Sequence, residues 1–369
     1  MNVNGTATAT GFMQNGKKYS MNWLDNFNNI KIEITSHCNA KCPGCTRNVT
    51  GGKNIDNLDL NHMPLDLWKR IMYEDTKDMK LNEILFDGNV GDLCMHPDAV
   101  KFVKSTVDAH PECSIHINTN GGARNEKFWT ELGSTLSGRA HRVNFAIDGL
   151  EDTHHIHRRS TTYEMVVRNI KAFIAAGGQA NWIFTLFDHN LHQYNEAEQR
   201  AKDLDFTWFQ TRHSCIPGED LYTKTDTEEY AIGTENIYEH DEKLIHLKDS
   251  IAVPDDPANN ETPSKCNAFR EKQIQIDFRG VLWPCSYIYA TEVFADKPLA
   301  MSPFHEHLDV DRHNGPIVPH PGQTISLYTH SLSDILNNSF YTNTLVNAIE
   351  TQEWKVCNLW CFGNEVFQH

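Results

Sequence analysis

Three cysteines crowd into one short stretch of this chain, Thr35-Ser-His-Cys-Asn-Ala-Lys-Cys-Pro-Gly-Cys-Thr-Arg47. Cys38, Cys42 and Cys45 follow the spacing C-x3-C-x2-C, close enough for their thiolates to converge on one inorganic centre. A zinc ion would need a fourth ligand, and none is obvious nearby, because His37 directly precedes Cys38 and would have to fold back. A 4Fe–4S cluster held by three cysteines leaves one iron open, and an open iron can bind a second molecule. A further set lies toward the C-terminus, Cys266, Cys285, Cys357 and Cys361. Four thiols saturate a 4Fe–4S cluster, although four cysteines in two pairs is also a zinc pattern.

The elements that must position these residues repeat along the chain. Ile30, Ile32 and Ile34 alternate, which predicts a half-buried strand just before Cys38. Pro64 opens a helix with Leu65, Trp68, Ile71 and Met72 on one face, and Glu83 to Phe86 reads as a second strand. Asp98 can cap the next helix, whose buried side carries Val100, Val103 and Val107. Further strands are predicted at Ser114 to Ile117, Val143 to Ile147, Trp182 to Phe187 and Thr207 to Gln210. Between them lie a helix with Val166, Ile170, Phe173 and Ile174 at helical spacing, ended by Gly177-Gly178, and another over Tyr194 to Leu204. Six strands alternating with helices predict an α/β fold around a parallel sheet, with too few units before residue 212 for a closed eight-unit barrel. In such sheets functional residues collect at the carboxyl ends of the strands. The cysteine loop, Gly91, Asp92, Asn120, Asp148, Asn190 and Arg212 all fall there.

A chain of 369 residues has room for one large domain and a small one. With 39% hydrophobic and 22% charged residues it is ordinary for a globular protein. The net charge of -16 counts against nucleic-acid binding, which relies on a basic surface to displace counterions. No apolar run approaches the length of a membrane span, and the first 20 residues are Asn-, Thr- and Gly-rich rather than a charged start with an apolar core. The expectation is a cytoplasmic protein with no membrane partner. Ten cysteines in such a chain point to metal or redox roles, not a disulfide framework.

The cysteine spacing directly after a first strand resembles the radical S-adenosylmethionine (radical SAM) superfamily. The resemblance implies a partial (β/α)6 barrel and S-adenosylmethionine chelated on the open iron. It also implies a reductive cleavage that yields a deoxyadenosyl radical able to abstract hydrogen from a substrate. Many members place an aromatic residue before the third cysteine, against the adenine; here that position is Gly44. Phe86-Asp-Gly-Asn-Val-Gly-Asp92 resembles the family's Gly-Gly-Glu motif, with Gly91 and Asp92 as its last two residues. The resemblance places Asp92 against the methionine ammonium, a charge-assisted bond. Ala146-Ile-Asp-Gly149 resembles a Ser-Ile-Asp-Gly motif at the fourth strand, with Ala146 removing its hydroxyl. Arg158, four residues after His154, matches an arginine that can pair with the methionine carboxylate, and Arg159 is its adjacent rival. Asn120 and Asp148 complete the expected cofactor contacts.

Cys266 and Cys285 bracket an expected hairpin, Gln273 to Phe278 and Val281 to Trp283, turning at Arg279-Gly280. With Cys357 and Cys361 this resembles the auxiliary-cluster extension called twitch, related to the SPASM domain, and implies a second 4Fe–4S cluster in a small α+β domain. Expected boundaries are a tail over 1–24, the barrel over 25–215, an acidic linker over 216–262 and the auxiliary domain over 263–369. The linker carries a charged helical stretch around Glu239 to Lys248. Cys113 reads as a buried hydrophobe, while Cys94 and Cys215 lie just beyond strands, at the rim where reactive groups gather. The run His154-His155-x-His157 flanks the expected cofactor pocket. The reading is an oxidoreductase-type radical SAM enzyme acting on a peptide or small molecule, by oxidation or cross-linking, with an external donor such as flavodoxin or ferredoxin. Two rivals remain open at this level: modification of a nucleotide or RNA base, and a non-catalytic iron–sulfur carrier or sensor.

Overall fold

The computed structural model describes residues 11–14, 17–20, 27–43, 45, 47–48, 54, 58–138, 140–213, 222–224, 229–231, 266, 268, 271–286, 288–289 and 325–351. Eight strands form one sheet: β1 (Asn29–Ile32), β2 (Glu83–Phe86), β3 (Ser114–Thr119), β4 (Arg142–Ala146), β5 (Ala180–Leu186), β6 (Trp208–His213), β7 (Gln273–Ile276) and β8 (Leu282–Trp283). Their spatial order is β8-β7-β1-β2-β3-β4-β5-β6. Every neighbouring pair is parallel except β7 with β8. The six expected strands thus stand side by side in chain order, and β6 and β8 do not pair with each other, which fits an open, partial barrel.

Period-two alternation decides which side of each strand faces what. Ile30 and Ile32, Ile84 and Phe86, Ile115 and Ile117, Val143 and Phe145 are buried, with half-buried neighbours between them. The buried side meets the helices. α1 (Leu65–Arg70) sets Trp68 against Phe86 at 6.0 Å between rings, and α3 (Glu126–Leu136) and α5 (Tyr163–Ala175) set Trp129 and Phe173 at 5.3 and 5.7 Å from Phe145. Each such side chain contributes about 1.5–3 kcal/mol by leaving water. The intervening helices are α2 (Ala99–Ala109), the short α4 (His154–His157) and α6 (Tyr194–Asp203).

Asn125 and Thr162 start α3 and α5 by accepting the backbone N–H of Phe128 and Met165, both at 3.2 Å. Asp98 occupies the cap position of α2 but makes no side-chain cap; its carboxylate takes Lys101 at 2.7 Å instead. The buried residues of that helix are Ala99, Phe102, Val103, Ser105 and Thr106, with Val100 and Val107 half-buried. Gly11–Gln14 and Lys17–Ser20 pair as an antiparallel hairpin inside the expected 1–24 tail. The Asn15-Gly16 pair between them is a strong hairpin signal that low apolar content obscured. Tyr222–Lys224 and Glu229–Ala231 form a second such hairpin.

The expected C-terminal hairpin is β7 and β8, and β7 continues the main sheet, pairing Ile274 with Ile30 and Ile276 with Ile32. Its turn is fixed by Gly280 at φ +68 and by the buried Asp277, whose carboxylate accepts the backbone N–H groups of Arg279 and Val281 at 2.9 and 3.1 Å. Among the described residues two helices follow, α7 (Leu332–Leu336), opened by a Ser331/Asp334 capping box, and α8 (Leu345–Thr351). Tyr341, between them, donates to the Leu282 carbonyl at 2.8 Å. Cys215, the Glu239 to Lys248 stretch, Cys357 and Cys361 lie outside the described residues.

Candidate active site

At the carboxyl ends of β1 to β6 a cavity of about 370 Å³ has Cys38, Cys42 and Cys45 on its wall. Of the other residues singled out in the sequence, Gly91, Asp92, Asn120, Arg158 and Arg212 also line it. Asp148 and Asn190 do not; both are 0% exposed, one layer behind. Asn190 stitches β5 to β4 there, its amide donating to the carbonyls of Asp148 and Thr185 at 3.0 and 2.9 Å.

The cysteine loop is clipped to the strand ends by its backbone. Arg47 donates to the Val90 carbonyl at 2.8 Å and to the Ser36 carbonyl at 2.7 Å, so this buried arginine ties the loop after β1 to the loop after β2. The Asp92 N–H donates to the His37 carbonyl at 2.8 Å, and the Lys41 N–H to the Arg159 carbonyl at 3.0 Å. Gly91 permits the closest of these approaches: a Cβ there would stand 2.0 Å from the Thr35 carbonyl oxygen. Under the same loop lies Glu33, 1% exposed, which accepts the Asn89 N–H at 2.8 Å. Burial, reinforced by Asp87, pushes its carboxyl well above the usual range.

Asp92 joins two strand ends. Its carboxylate accepts the Cys94 N–H at 2.9 Å, the Thr119 hydroxyl at 2.9 Å, and both the backbone and side-chain N–H of Asn120 at 2.8 Å. The same Asn120 amide nitrogen lies 3.0 Å from Asn39 Oδ1 and 3.7 Å from Cys38 Sγ.

Asp148 organises the other side. One oxygen accepts the Thr185 N–H at 2.8 Å; the other takes His157 Nδ1 at 2.7 Å and Arg158 Nε. Burial works to raise this carboxyl, but Arg158 and His157 outweigh it and hold it far below the carboxylate range. His157 Nε2 meets the Pro43 carbonyl at 3.1 Å, so both ring nitrogens face acceptors, an arrangement that only the doubly protonated ring satisfies. Burial opposes that charge and brings the ring's pKa below its usual value, although Asp148 works to raise it. Arg158 Nη1 then reaches Cys42 Sγ at 3.7 Å.

Burial, with Asp92 adding to it, pushes the Cys38 thiol up to about 12; burial and Cys42 raise Cys45 to about 11, and burial raises Cys42 despite Arg158. Thiols so placed stay protonated at neutral pH unless a positive centre arrives to deprotonate them. Three soft sulfur donors on one cavity wall, two of them already facing N–H groups, fit an iron–sulfur cluster. Among the described residues no three His, Cys, Asp or Glu side chains are set to hold one metal ion.

The polar floor of the cavity was not legible in the sequence. Asn181, Asn144 and Asn118 form a one-directional amide chain, each side-chain NH2 donating to the next member at 2.9–3.0 Å and ending on Asp87. Asn118 and Asn144 sit at half-buried positions of strands read mainly for their apolar alternation, Asn181 is buried behind them, and Asp87, Asn118 and Asn144 line the cavity. Cys94 corrects an expectation: it is 0% exposed, its thiol raised well above the usual range by burial and by Asp92, behind Thr119 at 3.6 Å. Cys113 is buried as expected. His154 turns inward to the Thr161 hydroxyl at 3.0 Å. Cys266 and Cys285 are buried on either side of the β7–β8 hairpin.

Residues 32–201 match the sequence model described as Radical SAM superfamily. This part of the chain is similar to a radical SAM domain. The match runs from the last residue of β1 to most of α6 and takes in the whole cysteine loop. Solved structures share the fold across most of the chain at low identity. SuiB of Streptococcus suis bound to S-adenosylmethionine is 14% identical, with 88% of this chain and 68% of that chain covered and a TM-score of 0.54. Its complex with the precursor peptide SuiA gives 12%, 88%, 67% and 0.54. Native anSMEcpe with bound AdoMet gives 14%, 85%, 81% and 0.52. No curated protein matches the chain.

Proposed function

We propose that this chain is a radical SAM enzyme whose catalytic cluster is held by Cys38, Cys42 and Cys45. The observation that carries the reading is the meeting of these three thiols with Asp92, Asn120 and Arg158 around one cavity of the region similar to a radical SAM domain. With S-adenosylmethionine the cluster supplies a radical that abstracts hydrogen from a substrate. The chain's own residues bind and orient. Asp92 and Asn120 would hold the methionine ammonium; the Arg158 guanidinium, with Nη2 uncommitted among the described residues, would take the carboxylate. Ile183 and Phe187, on the cavity wall, offer the apolar surface that Gly44 cannot, and Asn118 and Asn144 face the substrate from the floor.

The favoured substrate is a peptide. An amide-lined floor matches the donors and acceptors of a peptide group, and two structures sharing this fold hold peptides, SuiA in SuiB and Kp18Cys in anSMEcpe. Cys266 and Cys285, with Cys357 and Cys361, would hold a closed auxiliary cluster that takes the second electron, making the net reaction an oxidation or cross-link. An external flavodoxin or ferredoxin in the cytoplasm would supply the first electron. Anaerobically reconstituted protein should give an electron paramagnetic resonance signal, when reduced, that changes on addition of S-adenosylmethionine. A reduced cluster blind to S-adenosylmethionine would favour an iron–sulfur carrier instead.

A further inference from the structure

We propose that Arg158 sets the reduction potential of the cluster held by Cys38, Cys42 and Cys45, with Asp148 and His157 as the residues that position it. The inference rests on the cluster assignment above and goes beyond it, because it gives the arginine a role toward sulfur that does not depend on S-adenosylmethionine.

The guanidinium has little freedom. Its Nε is bound to Asp148 Oδ2 and its Nη1 faces Cys42 Sγ at 3.7 Å, so the cation lies between the carboxylate and the sulfur. Asp148 is itself pinned by the Thr185 N–H at 2.8 Å and His157 Nδ1 at 2.7 Å. His157 spans from Asp148 to the Pro43 carbonyl, in the turn that follows Cys42. The Arg159 carbonyl, next in sequence, accepts the Lys41 N–H at 3.0 Å. The strand end and the cysteine loop are thus bound to each other on both sides of Arg158, whose charge faces a ligand sulfur.

Taking up an electron adds negative charge to the cluster and its sulfurs. A fixed cation and an N–H donor on one sulfur favour that reduced state, which raises the potential. Asn120 offers Cys38 an N–H at the same 3.7 Å, but it is neutral and shares its amide with Asp92 and Asn39. Arg158 is therefore the stronger lever.

The test is a redox titration of the full chain, reconstituted anaerobically and without S-adenosylmethionine. It follows the resonance signal that parallel samples identify as the one S-adenosylmethionine perturbs. Arg158→Met, which removes both charge and donor, should titrate at a more negative potential than the parent. Arg158→Gln, which keeps an N–H, should fall between them, and Arg159→Gln should match the parent. Should Arg158→Met fail to load a cluster, Arg158→Gln decides alone. A loaded Arg158 variant that titrates at the parent potential overturns the proposal while leaving the cluster reading intact. A parent with no reducible four-iron signal overturns both.

Discussion

Asp92 is bonded twice to Asn120, at 2.8 Å to its backbone N–H and at 2.8 Å to its side-chain amide, and that amide reaches on to Cys38. One carboxylate after β2 thereby fixes the end of β3 against the first cysteine. Asp92→Asn puts an NH2 group among donors and leaves some of them unsatisfied. It should cost roughly 1–3 kcal/mol of stability in denaturant titration. S-adenosylmethionine should bind about tenfold more weakly, since 1.4 kcal/mol is a factor of ten. Equal stability and equal binding would show that other groups hold this corner.

Gly91 is the point of closest approach between the loops after β1 and β2. Gly91→Ala drives a Cβ to 2.0 Å from the Thr35 carbonyl oxygen and 2.7 Å from its carbon, both backbone atoms with little room to yield. The loop must shift, at a cost of about 1–3 kcal/mol, and iron content after reconstitution should fall with it. Gly88→Ala, whose nearest neighbour would be 3.4 Å away, should leave thermal stability close to the parent's. A Gly91→Ala protein as stable as Gly88→Ala would show that the loops are not packed this tightly.

Asp148 carries a pH signature. Its folded pKa is held below the unfolded value of about 3.9 by Arg158 and His157, against burial. Its contribution is therefore complete above that value and is lost as pH falls toward the folded pKa. Asp148→Asn should destabilise the protein at pH 7 by about 1–3 kcal/mol, because it leaves the half-buried Arg158 guanidinium without its charged partner. The gap to the parent should narrow below about pH 4. A gap of constant size across that range would show that Asp148 is not titrating there.

The auxiliary cysteines make a countable prediction. Two four-iron clusters give about eight irons per reconstituted chain. Replacing Cys266 and Cys285 with alanine should bring the count to about four while the signal perturbed by S-adenosylmethionine persists. Four irons and one zinc in the parent would replace the auxiliary cluster with a structural zinc.

The chain spelled out most of the scaffold and part of the site. Alternating Ile30/Ile32, Ile84/Phe86 and Val143/Phe145 locate the strands because a sheet covered by helices needs an apolar row on that side. The same rows drew attention away from the opposite positions, where Asn118 and Asn144 build the cavity floor and Asn181 backs Asn144. Cysteine spacing alone pointed to the cluster loop, but not to Arg47, whose importance rests on two carbonyls far apart in sequence, Ser36 and Val90. Residues expected to touch a ligand proved partly committed to one another, as Asp148 is to His157 and Arg158. Nor could any local pattern reveal that β7 pairs with β1, since parallel pairing across more than 240 residues leaves no periodic trace.

The central claim is that Cys38, Cys42 and Cys45 hold a cluster that cleaves S-adenosylmethionine, and formation of 5′-deoxyadenosine tests it most directly. Reconstituted protein given S-adenosylmethionine and a strong reductant without oxygen should produce it, and the variant with all three cysteines changed to alanine should be folded by circular dichroism and produce none. Undiminished 5′-deoxyadenosine from that variant, or none from a parent shown to carry a reducible cluster, would contradict the account.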